Sequence, residues 1–144
     1  MTIKEEIDSK RFLSLVKTYE PEINTIEITV TEAVLGEEMN VAVNKKVMTT
    51  GNILERKKEN PIYKLIFKDY IAYSIIEETS AVVDDYEVYT GNLIRFYSKS
   101  HFIDYIAKVT SVNYFNNELF FHFQIACIDH VIDIASKVQP IITK

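Results

Sequence analysis

The stretch Phe121 to Ser136, FHFQIACIDHVIDIAS, concentrates residue types that bind metals and move protons. His122 and His130 are two of the chain's three histidines, Cys127 is its single cysteine, and Asp129 and Asp133 add carboxylates. Imidazole, thiolate and carboxylate are the ligands zinc prefers, and a thiol beside an imidazole is a nucleophile pair. The alternation of apolar residues argues against both. A hairpin turning at Asp129-His130 pairs Ile128 with Val131, Cys127 with Ile132, Ala126 with Asp133, Ile125 with Ile134 and Phe123 with Ser136. Phe123, Ile125, Cys127, Ile132 and Ile134 then share a core face, while His122, Gln124 and Asp133 point to solvent or to a covering segment. At ~3.3 Å per residue, His122 lies roughly 20 Å from His130. An ion that binds nitrogen at ~2.0–2.1 Å cannot reach both. The stretch is therefore expected to be structural, with no metal and no cofactor, and a longer loop would shift its register.

Other catalytic patterns are missing too. His101 falls in the first turn of a predicted helix and has no nucleophile signposted beside it. The chain lacks G-x-S-x-G, and Cys127 lies in an apolar run where thiols act as small buried hydrophobes. Gly36, Gly51 and Gly91 stand too far apart for a phosphate-binding loop. The doublets Glu77-Glu78 and Asp84-Asp85 could be acid pairs, but neighbours on a strand point to opposite faces rather than across a cleft. No catalytic residue is assigned, and a non-enzymatic protein is expected.

Charge is unevenly distributed. From Lys45 to Lys68 the basic residues Lys45, Lys46, Arg56, Lys57, Lys58, Lys64 and Lys68 face only Glu55 and Glu59. Nucleic acid is nevertheless not the expected partner, because the net charge is -5 and no aromatics interleave with this basic run. Between Lys68 and Arg95 the sign inverts, with Asp69, Glu77, Glu78, Asp84, Asp85 and Glu87 and neither lysine nor arginine. Tyr70, Tyr73, Tyr86 and Tyr89 fall in the same interval. Tyrosine is enriched at interfaces, and dense carboxylates steer a basic partner. Glu77, Glu78, Asp84, Asp85, Tyr86, Glu87 and Tyr89 are accordingly the predicted partner contacts. The alternative is that the tyrosines are core and the acids serve solubility.

The elements that must position these groups follow from pattern. With 144 residues, 47% of them apolar and 26% charged, the chain is expected to be one globular domain over residues 1–144. Such a length buries roughly two-thirds of the unfolded surface without disulfide or metal. A lone cysteine, an N-terminus without the order of a secretory signal, and no apolar run near the ~20 residues of a membrane span lead to the expectation of a cytoplasmic chain. Ser9 to Tyr19 reads as a short helix capped by Asp8 or Ser9, with strand as the alternative, and Pro21 closes it. Thr25 to Thr31 alternates as a strand, with Ile26, Ile28 and Val30 on one face. Gly36-Glu37-Glu38 is turn-like, and Met39 to Val47 is its predicted antiparallel partner. Thr49 to Pro61 reads as a polar, basic connection. Ile62 to Glu78 is either one long bent strand or a hairpin with a three-residue loop, since both keep Tyr63, Leu65, Phe67, Ile71, Tyr73 and Ile75 together. Gly91-Asn92 is a turn and Leu93 to Tyr97 a strand. Ser98 and Ser100 are N-cap candidates for a helix with Phe102, Tyr105, Ile106 and Val109 on one face. The sum is an α+β domain, mainly an antiparallel sheet of about six strands with one or two helices packed on one face.

Three segments carry a resemblance: IYKLIFKDYIAYSIIEET from Ile62, YTGNLIRFYSKSHFIDYIAKVT from Tyr89, and HFQIACIDHVIDIASKVQP from His122. Together, over residues 62 to about 140, they resemble small bacterial proteins of the immunity type, encoded beside polymorphic or contact-dependent toxins. The resemblance lies in strand rhythm and in the closing IDHVIDIAS phrase. It implies a cytoplasmic binding module that occludes a toxin, often a nuclease, through an acidic surface. It implies no particular fold, because such proteins adopt many. The other expectation is a small-ligand-binding or enzymatic α+β domain whose pocket leaves no motif.

Overall fold

The computed structural model describes residues 1–42, 48–82, 84–112 and 120–144, with the side chains of residues 37–42 and 48–53 excepted. The elements are α1 (Ile3–Asp8), β1 (Leu13–Glu22), β2 (Thr25–Ala42), β3 (Met48–Arg56), β4 (Ile62–Lys68), β5 (Tyr70–Glu77), a 3-10 turn (Glu78–Ser80), β6 (Val88–Thr90), β7 (Ile94–Lys99), α2 (His101–Val109), β8 (Phe121–Ala126), β9 (His130–Ser136) and β10 (Ile141–Thr143). The chain is α+β, and the described residues form two antiparallel sheets with about ten strands rather than six. Sheet one runs β1-β2-β4-β10, with β3 on the distal half of β2, and sheet two runs β5-β9-β8-β7-β6.

Alternation places the inner faces. Ile26, Ile28 and Val30 pair with Phe67, Leu65 and Tyr63, while Phe123 and Ile125 pair with Ile134 and Ile132. These residues join one core shared by both sheets, and the Phe67 and Phe123 rings meet across it with centroids 5.6 Å apart. The polar side chains Thr25, Glu27, Thr29 and Thr31 of β2 are buried as well: the Tyr19 hydroxyl donates to Glu27 Oε2 at 3.1 Å and the Thr31 hydroxyl to the Pro61 carbonyl at 2.9 Å.

Of the two readings of Ile62 to Glu78 the hairpin is excluded and the bent strand is the nearer, but the bend carries the chain from one sheet to the other. Asp69 makes the corner at φ 55, a left-handed conformation that aspartate tolerates better than most residues. Lys137 N donates to the Asp69 carbonyl at 3.2 Å and the Ser136 hydroxyl to the Lys68 carbonyl at 3.2 Å, so the end of β9 and the residue after it hold the corner. Beyond the corner Tyr73 and Ile75 are 39% and 41% exposed, because β5 is an edge strand.

Several expectations are corrected. Residues 13–22 are strand β1 and the helix lies earlier, opened by a reciprocal capping box between Thr2 and Glu5. Pro21 does not end the element. It sits inside β1, an edge strand where a missing N–H costs least. Gly36-Glu37-Glu38 is no turn: it lies within β2, where the register with β3 shifts between Leu35 and Glu38. The partner strand is β3, inside the stretch read as a connection. Among the described residues β3 pairs with β2 alone, and its sequence MTTGNILER shows no apolar alternation to announce it. Of the predicted strand Met39 to Val47, residues 39–42 finish β2 and residues 43–47, with Lys45 and Lys46, lie outside the described residues.

The β8–β9 hairpin turns one residue earlier than expected, at Ile128-Asp129, with Cys127 N donating to the His130 carbonyl at 2.9 Å. Gln124 therefore faces Asp133 and Phe123 faces Ile134, a register two residues from the predicted one. Both faces survive, since a two-residue shift preserves parity. Distant contacts hold the loop in place: Ile128 N donates to the Leu13 carbonyl at 2.8 Å and Glu78 N to the Asp129 carbonyl at 3.2 Å.

The helices do not share a face. α2, capped by Ser100 as anticipated, lies over sheet two and buries Ile106. α1 instead contacts β7 and β10 and sends Ile7 into the core. Asp8 at its end accepts from Leu93 N at 2.9 Å and Ile94 N at 2.8 Å, fixing the start of β7. Burial pushes the Asp8 carboxyl up, but the Ile94 amide, Lys4 and the Leu93 amide together hold it below the ordinary range. Gly91, at φ 92, makes the turn before β7, where any Cβ would stand 2.1 Å from the Ile94 carbonyl oxygen. No helix among the described residues is long and apolar enough to cross a membrane.

Candidate functional site

On the outer face of sheet two the registers set Ser74, Asp133, Gln124 and Arg95 in a row across β5, β9, β8 and β7. These side chains are wired together. Arg95 Nη1 and the Tyr97 hydroxyl donate to Gln124 Oε1 at 3.2 and 2.9 Å. Gln124 Nε2 donates to Asp133 Oδ1 at 3.0 Å, and His122 Nε2 lies 2.7 Å from the same oxygen. His122 Nδ1 is 2.8 Å from the Ser100 hydroxyl, whose oxygen accepts Ile103 N at 3.0 Å. Both His122 nitrogens have a partner if the ring donates to Asp133 through Nε2 and accepts from Ser100 at Nδ1. Tyr97 stacks on the imidazole at 4.4 Å and Phe102 packs beside it at 4.8 Å.

Serine, histidine and aspartate in hydrogen-bonded sequence are the residue types of a hydrolase triad, and their burial decides against that role. Ser100 is 0% exposed, His122 1% and Asp133 6%. An attacking hydroxyl must be reachable by a carbonyl carbon, whereas the Ser100 oxygen is enclosed and occupied as the cap of α2. The chain of contacts fastens the start of α2 to β8 and β9. Sequence reasoning missed it because Ser100 and His122 stand 22 residues apart, and only the register and the docked helix join them.

The predicted partner contacts lie on and beside the strap between β5 and β6. Three gather at the start of α2. Asp84 Oδ2 is 2.7 Å from His101 Nε2, the Tyr86 ring stacks on His101 at 4.5 Å, and Glu87 accepts His101 N at 3.3 Å, placing a carboxylate at the helix's positive end. The Tyr86 hydroxyl donates to Asp104, and Lys99 Nζ lies 4.3 Å above the Tyr86 ring. The hydrogen bond to Asp84 raises the His101 pKa, and that from His101 lowers the Asp84 pKa. The hydrogen bond to Asp104 raises that of Tyr86.

The other contacts lie apart. Tyr89 meets Tyr97 at 5.0 Å, with the Arg95 guanidinium 4.7 Å above its ring. Glu77 caps the 3-10 turn, and its carboxyl is held low by hydrogen bonds from Thr79 and Ser80. Glu78 and Asp85 are exposed and form no ion pair with a described residue.

Between strap, α2 and sheet lies a groove of about 510 Å³, which no sequence signal announced. Gln124, Val131 and Asp133 form its floor, Phe102 and Tyr105 one wall, and Asp84 and Glu87 part of its rim. A smaller hollow of about 290 Å³ shares Gln124, Asp84 and Glu87 and is lined by Arg95, Tyr89 and Tyr97.

The opening cluster does not converge on one point: His122 meets Asp133 and His130 lies 2.9 Å from Asp129, but the two pairs stand apart. Cys127 is buried on the core side, and burial pushes its thiol up to about 12, leaving it protonated at neutral pH. His130 starts β9 opposite Glu77, whereas His122 lies at the other end of the hairpin opposite Ala135. Among the described residues no three histidine, cysteine or carboxylate side chains are grouped to hold a metal ion. No protein-family profile, curated protein or solved structure matches the chain.

Proposed function

We propose that this chain is a non-enzymatic protein-binding module of the immunity type, which neutralises a cognate toxin by laying the acidic strap over a basic site. One observation carries the reading. The strap is held to α2 through Asp84–His101 and Tyr86–Asp104, while Glu78 and Asp85 remain exposed without an ion pair among the described residues. Carboxylates carried on an anchored segment lose less freedom on binding than those on a loose loop, and they speed encounter with a positive partner.

The test uses the product of the neighbouring reading frame as partner. Glu78→Lys with Asp85→Lys should leave thermal unfolding unchanged, slow association and flatten its salt dependence. An unaltered association rate rejects the assignment.

A second reading, a domain that binds a small ligand, is favoured by the groove of about 510 Å³, a size that suits small molecules. Native mass spectrometry of purified protein checks it: a stoichiometric co-purifying molecule supports it, and a bare chain counts against it.

A further inference from the structure

The geometry points to the groove between α2 and the strap as the receptor for an arginine side chain of the partner protein. The inference rests on the protein-binding reading and names what that surface grips. Three carboxylates line the groove, Asp84, Glu87 and Asp133, and no lysine or arginine does among the described residues. Its single basic group, His101, is already committed to Asp84. The hollow is therefore negative even with His101 protonated.

Asp133 is the centre of the argument. Its side chain is 9% exposed, and both hydrogen bonds it receives from described side chains fall on Oδ1. Asp133 lines the groove and its second oxygen receives no hydrogen bond from a described side chain, and a carboxylate removed from water gains most from a cation that also donates hydrogen bonds. An anion is repelled by Asp84, Glu87 and Asp133 together, and one of the two Gln124 amide hydrogens is already taken by Asp133.

The walls favour arginine over lysine. Ile76, Val131, Phe102 and Tyr105 offer apolar and aromatic surface for a methylene stem and a planar head, whereas an ammonium would shed a tighter hydration shell. The neighbouring hollow already holds a guanidinium in this manner. Arg95 lies 4.7 Å over Tyr89 and donates to Gln124.

The experiment is an NMR titration of isotope-labelled protein with N-acetyl-arginine methylamide, against the lysine and citrulline analogues. Expected is a saturable shift at Ile76, Phe102, Gln124 and Val131, with arginine binding roughly tenfold tighter than neutral citrulline. Asp133→Asn should abolish the difference. Ile76→Trp, which fills the groove without touching the Asp133 hydrogen bonds, should abolish binding and serves if Asp133→Asn does not fold. No saturable shift, or equal binding of citrulline, overturns the inference. With the partner protein, Ile76→Trp should weaken the complex. If it does not, while charge reversal at Glu78 and Asp85 still slows association, the groove assignment fails and the protein-binding reading stands. If neither change matters, both fail.

Discussion

Asp133 Oδ1 lies 2.7 Å from His122 Nε2, although the two residues are not cross-strand partners: Asp133 faces Gln124 and His122 faces Ala135. The contact is diagonal, made on a sheet face that alternation marks as outward. α2 covers that face, so a pair that would be solvated on a bare hairpin becomes a buried polar network needing full satisfaction.

Removing the centre of that network should therefore be costly. His122→Ala leaves the Asp133 carboxylate and the Ser100 hydroxyl each short of a partner, and we expect a loss on the order of 3 kcal/mol in urea unfolding. Ser100→Ala, which mainly removes the α2 cap, should cost about 1 kcal/mol. Equal, small effects would mean that the buried contacts contribute nothing.

The His101–Asp84 contact makes strap docking dependent on pH. The His101 pKa is raised in the folded protein, so its contribution is complete below the unfolded value, ~6.5, and disappears as pH rises through the folded value. The Asp84 pKa is lowered, so its contribution is complete above its unfolded value of ~3.9 and is lost as pH falls through the folded one. The strap should be best docked in the mildly acidic window between these limits. Proton NMR of the His101 ring should give a midpoint that falls towards the ordinary value in Asp84→Asn; an unmoved midpoint would dissociate the pair.

Phe67 and Ile75 are grouped together by sequence parity, and the fold separates them. Phe67→Ala opens a cavity in the shared core and should cost about 3–5 kcal/mol. Ile75→Ala, on an exposed edge strand, should cost less than about 1.5 kcal/mol, since a half-exposed side chain has less burial to lose. Denaturant midpoints of the two variants decide the matter, and comparable losses would contradict the corner at Asp69.

At that corner, Asp69→Gly should be tolerated within about 1 kcal/mol, whereas Asp69→Val should destabilise by roughly 1–2 kcal/mol because a β-branched residue resists positive φ. Thermal unfolding of the two variants provides the comparison. A valine variant as stable as the glycine variant would indicate that the corner is not held left-handed in solution.

What could be read in the chain beforehand was local. Ser98 and Ser100 could be proposed as caps because serine favours that position, and Ser100 is the one whose hydroxyl meets Ile103 N; Gly91-Asn92 could be proposed as a turn because that dipeptide favours one. The faces of β2, β8 and β9 were legible because side chains alternate strictly along a strand. β3 was not, since MTTGNILER carries no apolar alternation, and β1 was obscured by Pro21, which its edge position permits. The acids of the strap were visible as a charge pattern. That Asp84 and Glu87 would close over His101 and form the rim of a groove was not.

The sequence by itself determined which side of each strand is apolar, the sign of the strap's charge and the start of α2. Tertiary structure decided the rest: the sheet each strand joins, the turn at Ile128-Asp129 and the meeting of Ser100, His122 and Asp133. The reason is parity. A shift of two residues leaves every face unchanged, so alternation cannot select a register. Contacts between distant residues, such as Ile128 N with the Leu13 carbonyl and Lys137 N with the Asp69 carbonyl, make that selection.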